Sequence, residues 1–116
     1  MRSAFNWTTI GDGGFGMTLA EIETCVRERL HFVTVVFNDS SLSLIDTAQQ
    51  RRGLPVNGVR YGQVDFAAAA AAMGAWGRRV ATMREMDEAL DDARVADAPA
   101  VIDALVDPAE YVAQTR

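Results

Sequence analysis

The chain alternates between two patterns of hydrophobic and polar positions. Short runs of β-branched, aromatic and other apolar residues are typical of strands. They predict four strands, at residues 5–10, 32–37, 76–81 and 99–106. Between them, apolar residues recur at helical spacing or alanines dominate, which predicts helices. These helices cover residues 18–30, 42–52 and 65–73, with a fourth opening at Thr82 or Met83.

Polar residues and helix breakers mark where several of these elements begin and end. Thr18 followed by Glu21 has the Thr-x-x-Glu spacing of a capping box, so a helix is expected to begin at Thr18. Asp65 stands before six consecutive alanines and is expected to cap the third helix. Gly53 and the proline two residues later end the second helix, so residues 54–63 are expected to form a loop.

Strands that alternate with helices imply right-handed crossovers and a mostly parallel sheet covered on both faces. The predicted fold is therefore a three-layer α/β domain, and 116 residues suffice for one such domain. Ligands of these sheets sit at the carboxyl ends of the strands. The first two strands end in the glycine-rich segment 11–16 and the polar segment 38–41, which makes this edge the candidate site.

Composition excludes several classes of function. The net charge of −5 and a pI near 4.7 argue against nucleic acid or an anionic membrane surface as a partner. The longest apolar run, residues 66–76, is too short to span a bilayer. Without a signal-peptide pattern the cytoplasm is the expected location. Cys25 is the only cysteine, so no internal disulfide can form.

The glycine-rich segment permits two interpretations. Residues 11–16 satisfy the pattern G-x-G-x-x-G, and Asp39 follows Gly16 by 23 residues, as in a nicotinamide dinucleotide fingerprint. However, Asp12 would place a carboxylate against the pyrophosphate. Two unit charges about 4 Å apart interact by roughly 4 kcal/mol at an effective dielectric near 20, so the repulsion would be substantial.

A magnesium ion removes this conflict. If Asp12 holds Mg²⁺, the ion can bridge the carboxylate and a diphosphate, because Mg²⁺ is typically bound by one or two carboxylates plus phosphate oxygens. Gly13 and Gly14 would let backbone N–H groups approach the phosphates. The polar segment 38–41, with Asn38, Asp39 and Ser41, can complete the coordination from the neighbouring strand end.

These residues resemble a known family. The leading motif is Gly-Asp-Gly-Gly-Phe at residues 11–15, followed one helix and one strand later by Val-Val-Phe-Asn-Asp at residues 35–39. Further matches are Asp65-Phe66 with the following alanines, and Pro-Ala-Val-Ile-Asp at residues 99–103. In this order they resemble the C-terminal, diphosphate-binding domain of thiamine-diphosphate-dependent enzymes, and within that family the acetolactate synthase-like group.

The resemblance implies a ligand set. Asp12 and Asp39 would bind Mg²⁺ through their side chains and Ser41 through its backbone carbonyl. The family's usual second asparagine falls on Asp39, so Asn38 is kept as an alternative ligand. The complete set expected to bind thiamine diphosphate is Gly11, Asp12, Gly13, Gly14, Phe15, Asn38, Asp39 and Ser41.

The resemblance also implies partners. In this family a second domain, from a partner subunit, supplies the carboxylate that protonates the cofactor. The chain is therefore expected to be one fragment of a larger decarboxylase or carboligase, without the first strand and helix of its domain. Alone it is expected to be inactive, and a truncated sheet edge favours homo-oligomers. A non-catalytic interaction module with the same fold remains an alternative.

Overall fold

The computed structural model describes residues 6–107. It contains four strands and five helices within this range. Phe5, the first residue of the first predicted strand, and the predicted tail from Pro108 lie outside it. In chain order the elements are β1 (Asn6–Gly11), α1 (Asp12–Thr18), α2 (Glu21–Arg27), β2 (Phe32–Asn38), α3 (Ser43–Arg51), α4 (Phe66–Ala72), β3 (Trp76–Val80), α5 (Met83–Val95) and β4 (Ala100–Leu105).

The four strands form one sheet in the order β1-β2-β4-β3, and all three pairings are parallel. Helix α5 covers one face, where Val33, Ile102 and Ala89 belong to one buried cluster. Helices α1, α2 and α4 cover the other, where Phe15, Ile22 and other apolar side chains form a second cluster. The predicted α/β fold with helices on both faces is therefore confirmed.

The alanine helix α4 lies unusually close to the sheet. A Cβ atom added to Gly77 of β3 would stand 2.2 Å from the carbonyl oxygen of Ala67, so only glycine allows this approach. The cap prediction is confirmed, because the Asp65 carboxylate accepts a hydrogen bond from the N–H of Ala68 at 2.9 Å. Thr82 caps α5 in the same way through the N–H of Glu85, at 3.1 Å.

The segment after β1 differs from its prediction. Residues 12–18 form helix α1 rather than a turn, although glycine disfavours helices. Burial explains the difference, because Phe15 is only 4% exposed and packs edge-on against Phe66, with ring centroids 5.3 Å apart. The predicted capping box is wrong: the Thr18 hydroxyl donates to the carbonyls of Gly14 and Phe15, and α2 begins only at Glu21.

One side of the sheet is open near β1. Trp7 of β1 is 62% exposed and Phe37 at the end of β2 is 40% exposed, and the strand register places both on the face that α5 packs against. Such an exposed apolar surface fits the expectation of self-association, which stays a prediction. Light scattering checks it, and a monomer at high protein concentration would contradict it.

Within residues 6–107, no helix combines the length and hydrophobicity needed to cross a bilayer. The longest helix, α5, has 13 residues and carries charged side chains along much of its length. The cytoplasmic location stays a prediction.

Candidate functional site

A cavity of about 480 Å³ opens at the carboxyl ends of β1 and β2, the edge predicted from the sequence. The adjacent ends of these two strands bring the glycine helix α1 and the polar segment 38–41 together. Six of the eight predicted binding residues line the cavity, with apolar residues of α3 on the opposite side. The predicted residues that line it are Gly11, Asp12, Gly13, Gly14, Asp39 and Ser41.

Asp12 is held by backbone amides from both sides of the site. Its side chain is only 3% exposed. One carboxylate oxygen accepts a hydrogen bond from the N–H of Gly13 at 2.9 Å, and the other accepts from the N–H of Ser40 at 2.7 Å. Ser40 adopts a left-handed backbone conformation, with φ of 61°, which turns its N–H toward Asp12. The carboxylate therefore joins α1 to the segment that follows β2.

Asp39 is fixed by local hydrogen bonds at the start of that segment. Its Oδ1 accepts from the N–H of Ser41 at 3.0 Å, and its Oδ2 accepts from the hydroxyl of Ser43 at the beginning of α3. These bonds hold the carboxylate in one orientation, as an Asx turn does. Asp39 consequently lines the same cavity as Asp12.

The phenol of Tyr61 lies near both carboxylates. Burial is the largest cause that raises the pKa of Tyr61, followed by its hydrogen bond to Asp12 and then by the negative charges of Asp12 and Asp39. All of these effects favour the neutral, protonated phenol. The Tyr61 hydroxyl is therefore affected by the carboxylates of both predicted metal ligands, Asp12 and Asp39.

Gly13 is required by the packing at the cavity wall. A Cβ atom at this position would stand 2.4 Å from Cδ2 of Leu42 and 3.5 Å from the hydroxyl of Tyr61. Any side chain would therefore displace Leu42 and crowd Tyr61. The backbone at Gly13 borders the cavity because no side chain covers it.

Two predicted binding residues do not line this cavity. Phe15 is buried against Phe66 in the core. Asn38 is 2% exposed and donates to the carbonyl of Val64 at 2.9 Å and to the carboxylate of Asp103 at 3.0 Å. Its amide oxygen accepts from the N–H of Ser40 at 3.3 Å, the same N–H that donates to Asp12, so the ligand role left open for Asn38 stays a prediction.

Sequence reasoning missed a buried polar network behind the site. Asp103 of β4 is completely buried and accepts hydrogen bonds from Asn38, from the N–H of Phe66 at 3.0 Å and from the guanidinium of Arg79 at 3.1 Å. Arg79 also donates to the carbonyl of Val64 at 2.8 Å. This network links β2, β4, β3 and the start of α4. The signal in the sequence was Asp103 itself, a charged residue within the apolar run that forms β4.

The donor set suits a hard cation shared with a ligand. Residues 6–107 contain no group of three His, Cys, Asp or Glu side chains able to hold a metal. A cation at this cavity would therefore use two carboxylates, carbonyl oxygens and oxygens of the ligand itself. Mg²⁺ is bound in this manner in phosphate sites, so the residues present fit the predicted magnesium and diphosphate.

Comparison with known proteins identifies the family of this chain. Residues 3–104 match the family described as thiamine pyrophosphate enzyme, C-terminal TPP binding domain. The chain is 31% identical over 102 residues to acetolactate synthase of Bacillus subtilis, which covers 88% of this chain and 18% of that enzyme. It is 33% identical over 97 residues to the catabolic acetolactate synthase of Raoultella terrigena, covering 84% and 17%.

A solved structure shares the fold. Benzoylformate decarboxylase of Polynucleobacter necessarius superposes with a TM-score of 0.81 and 26% identity, over 88% of this chain and 19% of that one. The chain thus spans less than a fifth of the length of each of these relatives. With the family match over 102 of its 116 residues, the chain belongs to the C-terminal thiamine-pyrophosphate-binding domains of thiamine-pyrophosphate-dependent enzymes.

Proposed function

We propose that this chain binds the diphosphate of thiamine diphosphate through a magnesium ion. Asp12 and Asp39 would hold the ion through their carboxylates and Ser41 through its backbone carbonyl. Gly11, Gly13 and Gly14 would border the diphosphate. The observation that carries the proposal is that both carboxylates, from adjacent strand ends, line one cavity beside a glycine whose side-chain space is already filled.

Charge supports a bridging cation. Two carboxylates and a diphosphate repel one another strongly in a partly buried cavity, and Asp12 is only 3% exposed. A divalent cation between them converts this repulsion into attraction, and carboxylate and phosphate oxygens are the ligands that Mg²⁺ prefers. The same arrangement disfavours a dinucleotide bound without a metal, since Asp12 would face its pyrophosphate.

The reaction itself would take place at the other end of the cofactor, away from the diphosphate site. When bound, thiamine diphosphate supplies a carbanion that adds to carbonyl carbons. The residues described here hold and orient one end of that cofactor. We propose that the chain acts as part of an acetolactate synthase-like decarboxylase or carboligase in the cytoplasm. The remaining domains, or a partner subunit in an oligomer, would supply the other half of the active site.

Calorimetric titration tests the binding function. Thiamine diphosphate is titrated into the 116-residue chain in Mg²⁺ and, separately, in EDTA; NAD is titrated under the same conditions. We expect saturable binding of thiamine diphosphate that requires Mg²⁺, because the ion offsets the repulsion, and no binding of NAD. Binding of NAD would instead support a dinucleotide site, and binding of neither ligand would support an interaction module.

Activity of the same preparation is a separate measurement. We expect no acetolactate from pyruvate when the chain is supplied with thiamine diphosphate and Mg²⁺, since the site described holds only the diphosphate end. Formation of acetolactate above a protein-free blank would contradict this part of the proposal and leave the binding function intact.

A further inference from the structure

A second polar cluster lies beside the candidate metal ligands and is not used by them. Asp46 of α3 is 7% exposed and forms a two-point contact with Arg60, with Nε at 2.6 Å from one carboxylate oxygen and Nη2 at 3.2 Å from the other. Gln50 and the hydroxyl of Ser41 also donate to Asp46. The hydrogen bond from Arg60 is the largest cause that lowers the pKa of Asp46 below its ordinary value, followed by the hydrogen bond from Gln50.

The ion pair between Asp46 and Arg60 joins two segments that lie outside the helices and the main sheet. Residues 40–42 and 59–61 run antiparallel, with an isolated bridge between Ser41 and Arg60. The N–H of Leu42 donates to the carbonyl of Val59 at 2.8 Å, and the N–H of Tyr61 donates to the carbonyl of Ser40 at 3.1 Å. Asp46 contacts both segments at once, through Ser41 on one and Arg60 on the other.

The two joined segments carry the groups that face Asp12. Ser40 donates its N–H to the Asp12 carboxylate, and the Tyr61 hydroxyl hydrogen-bonds to the same carboxylate. Ser41, which follows Ser40, is the proposed carbonyl ligand. Any shift of residues 59–61 would therefore be transmitted to the orientation of Asp12 and of Ser41.

We infer that Asp46 and Arg60 are positioning residues, a clamp that sets the magnesium affinity of the site by fixing residues 40–42 and Tyr61. This inference rests on the proposed function. Arg60 is 63% exposed, and an ion pair this open to solvent adds little to global stability. The ion pair acts instead by fixing the positions of the metal ligands. Mutation of residues that hydrogen-bond to metal ligands and orient them commonly changes metal affinity by about 10- to 100-fold.

The test measures the Mg²⁺ dependence of thiamine diphosphate binding by calorimetry in Arg60→Ala, Arg60→Lys and Asp46→Asn. We expect Arg60→Ala to require at least about 10-fold more Mg²⁺ for half-saturation. Arg60→Lys should recover only part of this loss, since lysine lacks the planar two-point contact. The double variant Asp46→Asn, Arg60→Ala should be no worse than the poorer single variant, as expected for two residues acting as one unit.

Arg84→Ala is the matched control, because Arg84 also pairs with a carboxylate, on the exposed side of α5. Its unfolding midpoint and that of Arg60→Ala should both stay near the parent value. If the parent chain binds thiamine diphosphate with Mg²⁺ and Arg60→Ala binds equally well at every Mg²⁺ concentration, the clamp is refuted while the proposed function stands. If the parent chain shows no Mg²⁺-dependent binding, both are refuted.

Discussion

Asp12→Asn is expected to weaken Mg²⁺-dependent binding of thiamine diphosphate by about 100-fold or more, which is the upper range for partners that only orient metal ligands. The substitution keeps the size of the side chain and removes its charge. Asp12 is buried and its carboxylate accepts from the N–H groups of Gly13 and Ser40, so an amide at this position loses both the charge and this fixed orientation. Calorimetry with thiamine diphosphate at fixed Mg²⁺ measures the loss.

Two further variants make this result specific. Asp87→Asn removes the same charge from the exposed surface of α5 and should leave binding unchanged. Asp39→Asn keeps a side-chain oxygen as a ligand, so it should retain Mg²⁺-dependent binding. Wild-type affinity in Asp12→Asn, with the unfolding midpoint preserved, would remove Asp12 from the ligand set.

Asp103→Ala is expected to produce a large loss of stability, about 3 to 5 kcal/mol in the free energy of unfolding. The carboxylate is completely buried and satisfies Asn38, the N–H of Phe66 and the guanidinium of Arg79. Removing it takes the acceptor of the Phe66 N–H and leaves Asn38 and Arg79 to share the carbonyl of Val64 as an acceptor, which costs more than the bonds themselves contributed. Urea unfolding followed by circular dichroism measures the change.

Asp92→Ala is the matched control for this prediction. Asp92 also pairs with an arginine, Arg78, at 2.6 Å, but both side chains are about half exposed. Its loss should cost about 1 kcal/mol or less, as is typical of surface ion pairs. Equal destabilisation by the two substitutions would show that the Asp103 network does not act as a buried unit.

The strands and the position of the site could be predicted because their signals are local. A buried parallel strand such as β2, predicted at residues 32–37, reads as an apolar run broken only by Thr34. Asp65 was predicted as a cap and is one in the structure, and α5 begins at Met83, one of its two predicted starts. The parallel order then places Asp12 and Asp39 at one edge, because both follow adjacent strands.

The missed features depend on contacts between residues far apart in the chain. Helix α1 forms despite its glycines because Phe15 packs on Phe66, which no local pattern reveals. The partners of Asp103 and Asp46 are arginines 24 and 14 residues away, and no local pattern links residues so far apart. Likewise, nothing in the sequence indicated that the amide nitrogen of Asn38 donates to Val64 and Asp103, 26 and 65 residues away.

The central claim is that a metal ion joins Asp12 and Asp39 to the diphosphate. It is tested most directly by crystals of the chain grown with thiamine diphosphate and Mn²⁺ in place of Mg²⁺, since manganese can be located by its anomalous scattering. We predict one manganese peak in the cavity, within coordination distance of both carboxylates, with the diphosphate oxygens on its open side. Diphosphate bound at α1 with no metal between it and Asp12, or manganese bound away from Asp12 and Asp39, would contradict the account.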